Sequence, residues 1–114
     1  MPASDMIITI GSGTLLTNGT EQTLAEYLDD MPARFWGVLD LLNMQTADTL
    51  RVREYMYSNG TWGVHSDSGN TIAGVAALPK MQIGMTVCMG YRLTIQRIAG
   101  SDRNYPWEVY RGVR

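Results

Sequence analysis

The dominant hydrophobic period along this chain is two. Leu50, Val52 and Met56 fall on one face of Asp48–Ser58, interrupted by Glu54, while Thr49, Arg51, Arg53, Tyr55 and Tyr57 fall on the other. That is the pattern of a half-buried strand with an arginine and tyrosine outer face. Tyr91, Leu93 and Ile95 alternate with Arg92, Thr94 and Gln96 in the same way. In Met81–Gly90 the alternation places Met81, Ile83, Met85, Val87 and Met89 on a bulky face, opposite Gln82, Gly84, Thr86, Cys88 and Gly90. Phe35–Leu42 is apolar on both faces: Phe35, Leu39 and Leu41 are expected to point inward around Gly37, and Trp36, Val38 and Leu42 outward beside Asp40.

Turn chemistry punctuates these runs. Asn18-Gly19, Asn59-Gly60, Asp67-Ser68-Gly69-Asn70 and Gly100-Ser101-Asp102 sit where strands should end, and Pro79 separates Ala76-Ala77-Leu78 from Met81. Candidate strands cover about 6–10, 13–17, 20–28, 34–42, 48–58, 61–66, 71–78, 81–88, 90–98 and 105–111, with two merging or absent. Glu21–Met31 also has helical spacing at Leu24, Tyr27, Leu28 and Met31. Thr23 and the preceding Asn-Gly turn favour a strand there. The predicted fold is an all-β antiparallel β-sandwich, jelly-roll-like, of about eight strands. Residues 1–12 form an N-terminal arm or first strand, and 13–114 a single sandwich domain.

Composition narrows function. The net charge of −2 gives no bulk attraction to nucleic acid or anionic membranes, and neither partner is expected. No apolar run approaches a membrane span, and Met1–Gly11 lacks the basic start and long apolar stretch of a signal peptide. Positive charge is carried by eight Arg and a single Lys, a bias that suits stacking and bidentate contacts at interfaces. One cysteine, Cys88, precludes an internal disulfide.

Candidate chemistry is thin. His65, Ser66 and Asp67 are adjacent, so their side chains alternate and cannot form a triad. Cys88 lies on a small-residue strand face with one histidine in the whole chain to activate it. Asp29-Asp30, and Asp67 with Asn70, lack the spacing of a known cation loop. Gly11-Ser12-Gly13 lacks the Lys-Ser/Thr of a phosphate loop and reads as a bend between strands. No catalytic, cofactor or metal residues are assigned, and no enzyme is expected. The aromatics and arginines carry the functional reading instead. Trp36, Val38, Leu42, Tyr55, Tyr57, Trp107 and Tyr110 are candidate contact residues, with Arg51, Arg53 and Arg111 as their polar rim. The ending PWEVYR is a candidate contact strand.

Three blocks, GTLLTNGTEQTLAE from Gly13, DLLNMQTADTLRVREY from Asp40 and YRLTIQRIAGSDRNYPWEVY from Tyr91, cover about half the chain. Together they resemble small all-β virion structural proteins, of capsid-decoration or accessory type, from phages and archaeal or environmental viruses. The resemblance implies a virion protein assembled in the host cytoplasm. Its partners would be itself, with a trimer favoured, and a major capsid protein. It implies no catalytic residues or cofactors. Trp36 and Leu42 depart from the pattern by placing large apolar groups outward, which argues against a free monomer. A carbohydrate-binding β-sandwich module is the alternative, requiring coplanar exposed aromatics near Asp, Asn or Gln.

Overall fold

A computed structural model describes residues 6–67, 72–75 and 79–113. The start of the N-terminal arm, the turn at Ser68-Gly69-Asn70 and the run Ala76-Ala77-Leu78 lie outside the described residues, as do the side chains of Asp30, Met85 and Thr86. The fold is all-β and antiparallel. Its strands are β1 (Met6–Leu16), β2 (Gln22–Asp40), β3 (Thr49–Ser58), β4 (Thr61–Asp67), β5 (Ile72–Ala73), β6 (Lys80–Ala99) and β7 (Asn104–Val113). The sheet order is β1-β7-β2-β6-β3-β4, with β5 pairing β3.

Two long strands make the spine. β2 and β6 pair from Gln22↔Ile95 to Asp40↔Lys80, but between Leu28↔Gly90 and Ala33↔Cys88 β2 advances further than β6. The surplus residues bend the pair at a corner, as bulges do. Beyond the corner β7 and then β1 add to residues 34–39 of β2; before it β3 and then β4 add to residues 90–99 of β6. The two halves fold toward each other and give the sandwich-like core. Phe35 of one half stacks on Tyr91 of the other, ring centroids 5.5 Å apart and 14° from parallel. Leu39, Leu50, Leu93, Ile95, Tyr105 and Val109 complete a core closed to solvent. The principal extents of 46 × 32 × 20 Å suit two layers about 10 Å apart with outer side chains.

The Glu21–Met31 segment is strand from Gln22 onward, and the segments predicted at 20–28 and 34–42 run on as β2. Those at 81–88 and 90–98 run on as β6, and 6–10 and 13–17 as β1. A division at residue 12 falls inside β1. The inward set Phe35, Leu39 and Leu41 is buried and Leu42 is exposed, as the pattern requires.

One face assignment is corrected. Met81 and Ile83 pack on the core, but Val87 is 63% exposed and Cys88 is buried. The register jumps from Phe35↔Thr86 to Trp36↔Gly84, so β6 carries an extra residue there and its alternation inverts. Gly84 makes the bulge possible. Its φ is +85°, and a Cβ there would lie 2.6 Å from the Phe35 carbonyl oxygen and 2.6 Å from the Trp36 Cα. Glu54, the interruption in the buried face of β3, is explained by the same place: its carboxylate accepts the Gly84 amide and the Tyr91 hydroxyl, the latter at 2.6 Å. Gly84→Ala is expected to cost about 2–3 kcal/mol, since it combines a left-handed alanine with backbone contact. Urea unfolding measures this, and an unchanged midpoint would show that the bulge does not need glycine.

Candidate functional site

The outer surfaces of the two halves differ in kind. On the half built from β3, β4 and the paired ends of β2 and β6, the predicted arginine and tyrosine face is present and engaged with itself. Arg51 grips Asp67 through Nε at 3.1 Å and Nη2 at 2.8 Å. Arg53 reaches Asp67 at 3.3 Å and Glu21 at 3.2 Å. Glu21 also accepts the Tyr55 and Thr94 hydroxyls. Burial raises the Glu21 pKa, but these hydrogen bonds and the Arg53 charge outweigh it and hold the carboxyl below its ordinary value. Arg92 pairs with Glu26, and its guanidinium lies 4.3 Å over the Trp62 ring. Tyr57 meets Trp62 edge-on at 5.3 Å, above the floor that Gly90 leaves open. The network is geometrically specific and leaves Arg51, Arg53, Tyr55 and Tyr57 committed within the chain.

The other half is different. Pairing across β1, β7, β2 and β6 aligns Ile7, Gly112, Arg34 and Val87 in one row, and Thr9, Tyr110 and Trp36 in the next. Ile7 and Val87 are each 63% exposed. Trp36 leans over Gly112, and its ring lies 6.3 Å from Tyr110 at a 39° tilt. Farther along, Val38, Asp40, Lys80, Pro106, Trp107 and Glu108 surround a shallow depression of about 200 Å³. Lys80 closes on Asp40 at 2.6 Å. Leu42, 69% exposed, follows the end of β2.

Trp36, Val38 and Tyr110 therefore share an outer face, but two of their predicted companions do not. Trp107 and Arg111 alternate with Tyr110 along β7 and sit on the core side. Trp107 packs against Gly11 of β1, where an added Cβ would come within 2.7 Å of its Cη2. Arg111 stacks its guanidinium 4.5 Å over the Tyr27 ring, with its Nε buried. Period two separates odd from even residues, so PWEVYR cannot present Trp107 and Tyr110 together. Nor is β7 a free contact strand, because it is flanked by β1 and β2. Gly11-Ser12-Gly13 is corrected as well: it lies within β1, hydrogen-bonded to β7, and Gly11 makes room for Trp107.

The other candidate groups have structural settings. His65 is exposed on β4, its ring 6.4 Å from that of Tyr91. Asp67 is engaged by two arginines. Cys88 is buried, its Sγ donates to the Gly90 carbonyl at 2.9 Å, and burial pushes its thiol up. Among the described residues no group of three His, Cys, Asp or Glu side chains could hold a metal ion. Sequence reasoning missed Ile7, Leu16, Arg34 and Val87. Val87 was hidden by the bulge; Ile7 and Leu16 carried a readable signal, since Met6–Leu16 contains no charge at all. No protein-family model, curated protein or solved structure matches the chain.

Proposed function

We propose that this chain is a virion structural protein of capsid-decoration or minor-capsid type, acting by protein–protein contact in a symmetric assembly of its own copies with a major capsid protein. The virion setting comes from the likeness of its three sequence blocks. The contact role is supported by the outer face on which exposed Ile7 and Val87 flank Arg34, Trp36 and Tyr110. Arginine, tryptophan and tyrosine dominate interface energetics, and here they stand on paired strands that lose little entropy on docking. The 39° tilt between Trp36 and Tyr110 gives a poorer platform for a flat sugar ring than for a side chain wedged between them.

The direct test is size-exclusion chromatography with light scattering on the full chain, together with assay of purified particles for stoichiometric co-purification with the major capsid protein. The protein is expected to be oligomeric and particle-bound. Val87→Asp, at a surface position, is expected to weaken assembly by about ten-fold or more while leaving the melting curve intact. A monomer at high concentration that binds no particle would overturn the proposal, and a glycan-array signal from that monomer would favour the carbohydrate reading.

A further inference from the structure

We infer that β1 is a self-pairing edge: two copies join antiparallel through their β1 strands, about a two-fold axis at Ser12, into one continuous sheet. This rests on the reading of the chain as an assembling protein and names its seam. Among the described residues β1 pairs with β7 alone, so one side of an 11-residue strand is left as a row of amides and carbonyls without a strand partner, the terminal Leu16 carbonyl alone accepting the Gln22 Nε2 at 3.4 Å. Exposed edges are ordinarily guarded by charge, proline or shortness. Met6–Leu16, MIITIGSGTLL, has no charged residue and no proline. At the opposite edge β4 has seven residues and ends on Asp67.

The occupant follows from the strand's own symmetry. Against β7 the register passes from Thr9↔Tyr110 to Gly11↔Val109, so Ile10 is the extra residue of a bulge. If a copy of the strand, turned end for end, meets it with the same residue skipped, the pairs about Ser12 are Gly11 with Gly13, Thr9 with Thr14, Ile8 with Leu15 and Ile7 with Leu16. Like meets like at every position. The faces agree as well: Ile7, Thr9, Ser12, Thr14 and Leu16 all lie opposite the outer residues of β7, whereas Ile8 and Leu15 lie opposite inner ones. Without the bulge, outer Leu16 would face inner Ile8 and the match would fail. Ile7 and Leu16, 63% and 56% exposed, would cover each other across the seam. With no charge in the strand, self-pairing brings no like-charge contact, while a charged partner strand would find nothing to complement it. The two Glu108 carboxylates, one on each β7, would stand three strand spacings apart, about 14 Å and beyond the Debye length at physiological salt. The seam is two-fold, so a dimer replaces the trimer expected from sequence as the building unit.

The test uses the full chain in three forms. Thr9→Lys with Thr14→Lys sets lysine against lysine twice across the seam; Thr9→Glu with Thr14→Glu does the same with carboxylates. Both positions are exposed, and each variant's melting curve checks its fold. Light scattering should give twice 12.7 kDa for the unmodified protein. Each like-charged variant should dissociate at concentrations at least about ten-fold higher, and an equimolar mixture should recover the dimer. Ser12→Cys should oxidise to a covalent dimer, the buried Cys88 staying unreacted. Oligomers that persist in both like-charged variants, or an oligomeric Ser12→Cys that does not cross-link, would place the seam elsewhere and leave the assembly reading standing. A monomer that still co-purifies with particles would also remove the β1 seam alone. A monomer that binds no particle would remove both.

Discussion

A chain ended after Asn104 is expected not to fold. The deletion removes β7, and with it the strand that holds β1 in register and the second neighbour of β2. Tyr105 and Val109 are both fully buried. Their burial alone contributes about 3–6 kcal/mol, against a typical total stability of about 5–15 kcal/mol. Trp107 and Arg111 leave too, uncovering Gly11 and the Tyr27 ring. The shortened protein should show no cooperative thermal transition and poor amide dispersion. A sharp transition retained without β7 would mean that the remaining strands form an independent core.

Asp48→Ala is expected to cost about 3–4 kcal/mol. Asp48 is 1% exposed at the entrance to β3, where its carboxylate ties its own turn to the Ser101–Arg103 segment. It accepts the Gln45 amide at 2.8 Å, the Ser101 amide at 3.1 Å and the Arg103 guanidinium, while its backbone carbonyl takes the Gly74 amide at 2.8 Å. Alanine would leave two amides and a cation without acceptors, and the charge-assisted bond is the largest loss. The Arg103 side chain is about a third exposed, so its part is discounted for solvent screening. Gly100 belongs to the same construction: its φ of +89° turns the chain tightly past Asp48 where a Cβ would collide.

Burial raises the Asp48 pKa, but the bonds from Arg103, Gln45 and Ser101 outweigh it and hold the carboxyl below its ordinary value of 3.8. A depressed folded-state pKa gives stability that is present in full above the unfolded value and lost as pH falls through the folded one. The stability gap between wild type and Asp48→Ala should be constant near neutrality and shrink below about pH 4. Denaturant midpoints at several pH values measure it. A gap that persisted in acid would show that the carboxylate's charge is not what holds these segments.

Much of the fold is legible in the residues because the pleat forces neighbours to opposite faces. Leu50, Val52, Tyr91, Leu93 and Ile95 are buried where alternation places them, and the segment from Gln22 to Met31 is strand despite its helical spacing. Legibility ends where a bulge inserts one residue. At Gly84 the inner and outer sets exchange, so Val87 emerges and Cys88 sinks. The positive φ that permits this belongs to a glycine whose letter alone does not distinguish a bulge from a turn.

The contact residues divide in the same way. That Tyr55, Tyr57, Arg51 and Arg53 share one face is a consequence of their spacing alone. That Glu21 occupies Arg53 and Tyr55 is not, because it comes from a distant part of the chain, and Asp67 meets Arg51 and Arg53 only through a hairpin register that shifts between Glu54 and Tyr55. Local pattern determined strand identity and, away from the bulges, facing, since each depends on residues within a few positions. Which strand lies at an edge depends on the order β1-β7-β2-β6-β3-β4. Pairing between residues far apart along the chain sets that order. It encloses β7, which has the conspicuous aromatics, and among the described residues leaves β1 at an edge, its signature the absence of charge.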